Sequence, residues 1–237
     1  ENCQFKFNGM WSFAIWDTIE HKLFLSRDRF GIKPLFYLYD GKHFLFASEL
    51  KAFMSLPASI KPKFDLGMLA HFENNESTEK TILKGVNNLN GGFQLILRKN
   101  KSLIKKKWWC TSDHLVDVPK TFNGQVEQYK ELFLDACKIR MRSDVPIGTA
   151  LSGGLDSSSV LCSMAHIRST VSKKSRLAKE WQKAFVLDYT GTSHSEKHYA
   201  QKVINHTNAF PIHKGIDLSD ISAEDIVEAT YAFEAIQ

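Results

Sequence analysis

The apolar residues of this chain change their period once, near Gly124, and that change restricts the fold more than any other feature. Before it they come in runs of strand length. Residues 11–17 (Trp-Ser-Phe-Ala-Ile-Trp-Asp) and 22–26 (Lys-Leu-Phe-Leu-Ser), separated by Thr-Ile-Glu-His, read as a hairpin of largely buried strands. A second pair, Leu35 to Tyr39 and His43 to Ala47, is joined across Asp40-Gly41, a dipeptide that takes positive φ cheaply in a tight turn. Phe93 to Arg98 and Leu103 to Trp109 alternate around Lys-Asn-Lys and suggest a third. Short helices are expected at Leu50 to Met54, opened by Ser48 and Glu49, and from Asp65, whose side chain can accept from first-turn amides, to about Phe72. Residues 74–81 are polar and loop-like.

Beyond Gly124 the period becomes helical, with Val126, Tyr129, Leu132, Phe133, Ala136, Cys137 and Met141 on one face. Val145 to Leu151 reads as a buried strand and Ser157 to Ile167 as a helix. Ala184 to Tyr189 reads as a second strand and, after a Gly-Thr-Ser loop, Glu196 to His206 as a second helix. Strand and helix in alternation argue for a parallel sheet with covering helices. The chain therefore divides into a β-rich part at 1–110, an aperiodic connection at 111–123 and an α/β part at 124–237. The segment Arg168 to Lys183 sets Arg168, Lys173, Lys174, Arg176, Lys179 and Lys183 against Glu180 and reads as a solvated crossover loop with a short amphipathic helix.

Composition removes several function classes. With 237 residues, 43% hydrophobic and 24% charged, the chain can bury a sizeable core and is not disordered. A net charge of +5 is mild for this size, and Lys105-Lys106-Lys107 before Trp108-Trp109 is too short a run to indicate nucleic acid, so it reads as a solvated strand end. No run of about 18 apolar residues exists, nor a charged region followed by an apolar one at this N-terminus, so no membrane partner is expected. Cys3, Cys110, Cys137 and Cys162 form no close pair and read as free, mostly buried thiols, as in a reducing cytoplasm. The nine histidines show no H-E-x-x-H spacing. Arg27, Asp28 and Lys33 read as a structural ion-pair network fixing a loop rather than as catalytic groups.

The residues that carry chemistry are Ser152-Gly153-Gly154-Leu155-Asp156-Ser157-Ser158, between an expected strand and an expected helix. Glycines there let backbone amides approach an anion, and the helix start adds unpaired N–H groups and the positive end of its dipole. The Walker A lysine is missing and no G-x-G-x-x-G occurs. Ser152, Ser157 and Ser158 supply hydroxyl donors. Asp156 would repel phosphate unless a cation such as Mg²⁺ bridges the two. The alternative is a plain turn with Asp156 or Ser157 capping the next helix.

This heptapeptide resembles the pyrophosphate loop of the ATP pyrophosphatases. Asp144-Val145-Pro146-Ile147-Gly148 running into it is similar to the glutamine-dependent asparagine synthetases. Three further segments resemble the second half of that family's class II glutaminase domain: residues 8–14 (Asn-Gly-Met-Trp-Ser-Phe-Ala), residues 27–37 (from Arg-Asp-Arg-Phe-Gly-Ile-Lys) and residues 46–52. The likeness is weakest over 55–123, where Asn90-Gly91-Gly92 stands in place of the usual Pro-Pro-Gly. The resemblance implies the end of an antiparallel β-rich Ntn-type glutaminase followed by the start of a parallel-sheet, adenine nucleotide α-hydrolase-like domain. It implies that Ser152, Gly153, Gly154, Asp156, Ser157 and Ser158 bind the phosphates of ATP, with Mg²⁺ on Asp156. Ala150 and Leu187 would frame the adenosine, core packing being the alternative for both. It also implies small-molecule substrates (ATP, aspartate and glutamine), a cytoplasmic location and a homodimer as a possible assembly.

A class II glutaminase uses the α-amino group of a first-residue Cys as the base for its own thiolate, whereas residue 1 here is Glu1 and Cys3 lies inside the chain. The expectation is an internal fragment that alone neither hydrolyses glutamine nor makes asparagine, so no catalytic residue is assigned. Two other functions fit the same residues: amide or lactam formation on a different carboxylate, and a degenerate, non-catalytic scaffold.

Overall fold

The structure, a computed structural model, describes residues 2–69, 79–170, 183–189, 192, 195–217 and 221–233. It divides into two compact units, Glu1–Val116 with Ile226–Gln237, and Asp117–Asp225.

The first unit is built on antiparallel pairing. One sheet has the order β1-β2-β6-β7, from Ser12–Asp17 (β1), Lys22–Arg27 (β2), Phe93–Leu97 (β6) and Leu103–Lys107 (β7). The other has the order β4-β3-β5, from Phe36–Tyr39 (β3), Phe44–Ala47 (β4) and Val86–Asn88 (β5). All three expected hairpins form. Asp40 Oδ1 accepts from the amides of Lys42 and His43, closing the turn that Gly41 enters at φ +87°. Leu25, Leu35, Tyr37, Leu89 and Leu95 make one core, and Leu38, Phe53, Leu83 and Val86 a second. Because β1 is an edge strand, covered from one side only, Ile15 and Trp16 stay about half exposed, unlike the buried strand expected. The short helix α1 spans Lys51–Met54, and α2 spans Leu66–Leu69 with Asp65 Oδ1 accepting from Gly67 N at 3.1 Å. The rest of the helix expected as far as Phe72, and residues 74–78 of the polar loop, lie outside the described residues.

The second unit alternates: α3 (Phe122–Arg140), β8 (Gly148–Ala150), α4 (Leu155–Thr170), β9 (Lys183–Tyr189), α5 (Lys197–Thr207) and β10 (Phe210–Ile216). The three strands run parallel in the order β10-β9-β8, with Ala150 opposite Phe185 and Lys214 opposite Leu187. Ala184, Val186 and Asp188 point to the face covered by α4 and α5, while Phe185 and Leu187 point to the other face and are about half exposed. Met141, Leu151, Leu161, Met164, Ala200 and Ile204 fill the core. Thr121 Oγ1 caps α3 by accepting from Gly124 N.

Three expectations are corrected here. Only Phe133, Ala136, Cys137 and Met141 of the expected α3 face turn inward; Val126, Tyr129 and Leu132 remain exposed, because the outer part of α3 is separated from α4 by an open groove that Val126 and Tyr129 line. The strand expected from Val145 shrinks to three residues, since Pro146 has no N–H for a ladder and Ser143 Oγ folds the preceding segment into a turn on Val145. Of the four free cysteines only Cys137 is buried. Most of the basic segment Arg168 to Lys183 (171–182), and Gly191 and Ser193 of the Gly-Thr-Ser loop, lie outside the described residues. No helix among the described residues is long and apolar enough to cross a membrane.

Candidate nucleotide site at the head of α4

The glycine-rich segment leaves β8 at its C-terminal end and turns into α4, the place where open parallel sheets hold ligands. Gly153 makes the turn at φ +93°, a conformation that L side chains rarely adopt. A Cβ there would lie 2.6 Å from Ala200 N and 2.7 Å from Tyr199 Cβ, so the loop rests directly on the first turn of α5. Around this turn Ser152 Oγ accepts from Gly154 N at 3.2 Å and lies 3.1 Å from Ser157 Oγ. Ser158 N closes the first helical hydrogen bond onto Gly154 O. Ser158 Oγ is buried without a hydrogen-bond partner among the described residues. Such a group costs about 1–3 kcal/mol unless something meets it.

The loop thus brings Ser152, Gly154 and Ser157 together, with Ser158 just below. Asp156 is exposed on the first turn of α4 and lines a groove of about 600 Å³ with Tyr129, Phe133 and Val160. Ala150 is exposed and lines a cavity of about 460 Å³ with Gly148, Cys137 and Met164; Leu187 on β9 is 47% exposed. Neither is core in this unit. The donors, a glycine turn, three serine hydroxyls and a helix start, fit an oxyanion such as phosphate. A Mg²⁺ ion typically takes one or two carboxylates and completes its shell with phosphate oxygens and water, and Asp156 offers one carboxylate.

Sequence reasoning passed over Asp188. It is 6% exposed at the C-terminal end of β9, accepts from Ser195 Oγ at 2.6 Å and pairs with Lys197 Nζ at 3.3 Å. The Ser195 hydrogen bond, then Lys197, hold its carboxyl below the usual carboxylate range, against the opposing effect of burial. Its one signal was an acid inside the run Ala-Phe-Val-Leu-Asp-Tyr.

In the first unit Arg27 and Asp28 stabilise a loop, as expected, but chiefly through hydrogen bonds to backbone groups. Arg27 donates to Lys33 O, Gly31 O, Leu89 O and Asn88 Oδ1 at 2.5 to 2.7 Å. The Asp28 carboxylate accepts from the amides of Trp11, Phe30, Ile32 and Lys33. Lys33 contributes backbone atoms to this network.

Residues 1–109 match the glutamine amidotransferase domain family and residues 128–236 the asparagine synthase family. The fold fits that pairing, antiparallel sheets first and a parallel sheet second, which defines the class: a glutamine amidotransferase domain joined to an asparagine synthase domain. Within that class the chain belongs to the asparagine synthetase family. It is 38% identical over 173 residues to a provisionally named glutamine-hydrolysing asparagine synthetase 2 of Methanocaldococcus jannaschii, covering 68% of this chain and 32% of the relative. It is 36% identical over 163 residues to glutamine-hydrolysing asparagine synthetase 3 of Bacillus subtilis, covering 68% and 26%. Amidase chyE of Penicillium rubens is 33% identical over 154 residues, covering 64% and 22%. The chain thus spans about a quarter to a third of the length of these relatives.

Proposed function

We propose that residues 152–158 hold the phosphates of ATP, that Asp156 is the residue that would hold Mg²⁺, and that the protein containing this chain is a glutamine-hydrolysing asparagine synthetase. The observation that carries this reading is the buried, unpartnered Ser158 hydroxyl at the head of α4, beside a glycine turn and two further hydroxyls. Unpaired α4 amides and the serine hydroxyls would donate to phosphate oxygens and disperse negative charge as the bond between the α and β phosphates breaks. Mg²⁺, when bound, neutralises phosphate charge. Ala150 at the end of β8 and Leu187 on the adjacent strand β9, both exposed, would frame the adenosine. The β-carboxylate of aspartate attacks the α phosphate, and ammonia from glutamine displaces AMP from the resulting adenylate, yielding asparagine, glutamate, AMP and pyrophosphate. On this reading 1–110 is the end of an Ntn-type glutaminase, 111–123 a connection and 124–237 the start of an ATP-pyrophosphatase domain. The enzyme is cytoplasmic and acts on small molecules, with a homodimer as a possible assembly and with neither nucleic acid nor membrane as its partner.

Aspartate-dependent exchange of labelled pyrophosphate into ATP by the full protein tests this. Exchange with aspartate, abolished by Ser158→Ala together with Ser157→Ala, is expected; no exchange with any carboxylate overturns the reading. A second reading, amide formation on a different carboxylate, is kept because relatives of similar identity are named amidases and not asparagine synthetases. Exchange driven by another acid and not by aspartate would establish it.

A further inference from the structure

The pair Asp188 and Ser195 does more than close a loop. The residue at the N-cap of α5, Glu196, makes no side-chain cap hydrogen bond, so this helix start is not held in the usual way. It is held from the sheet instead. Asp188, buried on the central strand, grips the residues on either side of that cap through the Ser195 hydroxyl at 2.6 Å and the Lys197 ammonium at 3.3 Å. The turn that follows, closed by the amides of Tyr199 and Ala200 on Glu196 O, is the surface that Gly153 touches. At 2.6 to 2.7 Å from an added Cβ, this contact leaves the loop no room to settle lower. A sideways or upward move of the α5 start therefore moves Gly153, and with it the amide of Gly154 and the hydroxyls of Ser152 and Ser157 grouped around that turn.

We propose that Asp188 is a positioning residue for the phosphate loop, acting through Ser195, Lys197 and the first turn of α5 on Gly153. The inference rests on the nucleotide reading of residues 152–158 and adds to it a specific division of labour. The coupling runs through contiguous contacts to the phosphate half of the site. Leu187, beside Asp188 on the strand, points to the opposite face of the sheet and belongs to the nucleoside half. Loss of the Asp188 contact is thus expected to weaken phosphate recognition and leave nucleoside recognition alone. A residue that merely held the unit together would weaken both.

The test uses the full protein with Mg²⁺ and three probes measured by calorimetric titration: ATP, inorganic pyrophosphate and adenosine. Asp188→Asn keeps an acceptor for Ser195 but removes the charge, and Ser195→Ala removes a single hydroxyl with little risk to folding. Each is expected to weaken pyrophosphate and ATP about tenfold, the size of one lost charge-assisted hydrogen bond, with adenosine changed less than about twofold. The double variant is expected to be no weaker than the worse single one, because both act on one contact. Unchanged pyrophosphate binding in both single variants overturns the coupling, as does adenosine falling in parallel with pyrophosphate. Failure of the wild-type protein to bind ATP or pyrophosphate overturns the nucleotide reading itself and the coupling with it. Binding by the wild type that the variants do not alter overturns the coupling alone.

Discussion

Two loops of this chain leave two strands carrying similar polar residues, and they differ in whether those residues are already satisfied. After β2, the Arg27 guanidinium and the Asp28 carboxylate meet four partners each, nearly all of them backbone groups of the same unit. After β8, the Ser158 hydroxyl is buried with none among the described residues, and Ser152 and Ser157 chiefly meet each other and Gly154. A loop whose donors and acceptors are saturated from within has its structure as its product. One that buries a donor and leaves it unmet carries a local penalty that a ligand can remove.

The contrast is broken most directly at Arg27. Arg27→Ala would strand the carbonyls of Lys33, Gly31 and Leu89, and the first unit is expected to lose about 3 to 5 kcal/mol in urea unfolding. Nucleotide binding by the second unit should be unchanged; if it falls with stability, the two loops do not have separate tasks. Gly153→Ala comes next. An alanine at φ +93° with its methyl against Ala200 N combines backbone strain and overpacking, together about 2 to 5 kcal/mol of the second unit's stability. Pyrophosphate binding should vanish with it. Near-wild-type stability would show that the close approach to α5 is relieved at little expense.

Ser158→Ala sharpens the comparison, because stability and binding should move in opposite directions. Removing an unmet buried hydroxyl is expected to leave the unfolding free energy equal or higher, by up to about 1 kcal/mol in urea unfolding, while pyrophosphate affinity falls about tenfold. A variant that is less stable and binds as before would make Ser158 a structural residue like Arg27.

What the sequence shows of this arrangement follows how local each feature is. The three hairpins and the strand–loop–helix unit around 152–158 are legible because a two-residue turn, alternating apolar residues or a glycine pair specifies each within a dozen positions. Strand β5 is three residues long and exists through pairing with β3 some fifty residues earlier, and β10 depends on β9 in the same way, so neither has a period of its own. The outer half of the α3 face shows the converse: its spacing is amphipathic, yet Val126 and Tyr129 stay exposed, lining an open groove beside α4 with the Tyr129 ring stacked on Phe133. In the candidate site the serines and glycines are legible by type. The support beneath them is not, because Asp188 and Gly153 meet the α5 start only after three elements have folded.

The smallest expected effect concerns thiols, one in each unit. Cys110 Sγ lies 3.1 Å from Ser112 Oγ and 3.3 Å from Lys107 Nζ, contacts that favour the thiolate and lower its pKa, the Ser112 hydrogen bond most. Cys137 is buried in the second unit's core, and burial raises its pKa. A lowered pKa means more thiolate at neutral pH and a raised one means less, so iodoacetamide at pH 7 should modify Cys110 at least about tenfold faster than Cys137. Raising the pH toward 9 should narrow the gap, since Cys110 approaches full ionisation first and gains less with each further increment. Lys107→Ala and Ser112→Ala should each slow Cys110 at pH 7 and leave Cys137 unchanged, read by peptide mass analysis after timed labelling. Equal rates for the two thiols at pH 7 would mean that the core around Cys137 opens faster than the reagent reacts, and that the second unit is held more loosely than its packed helices indicate.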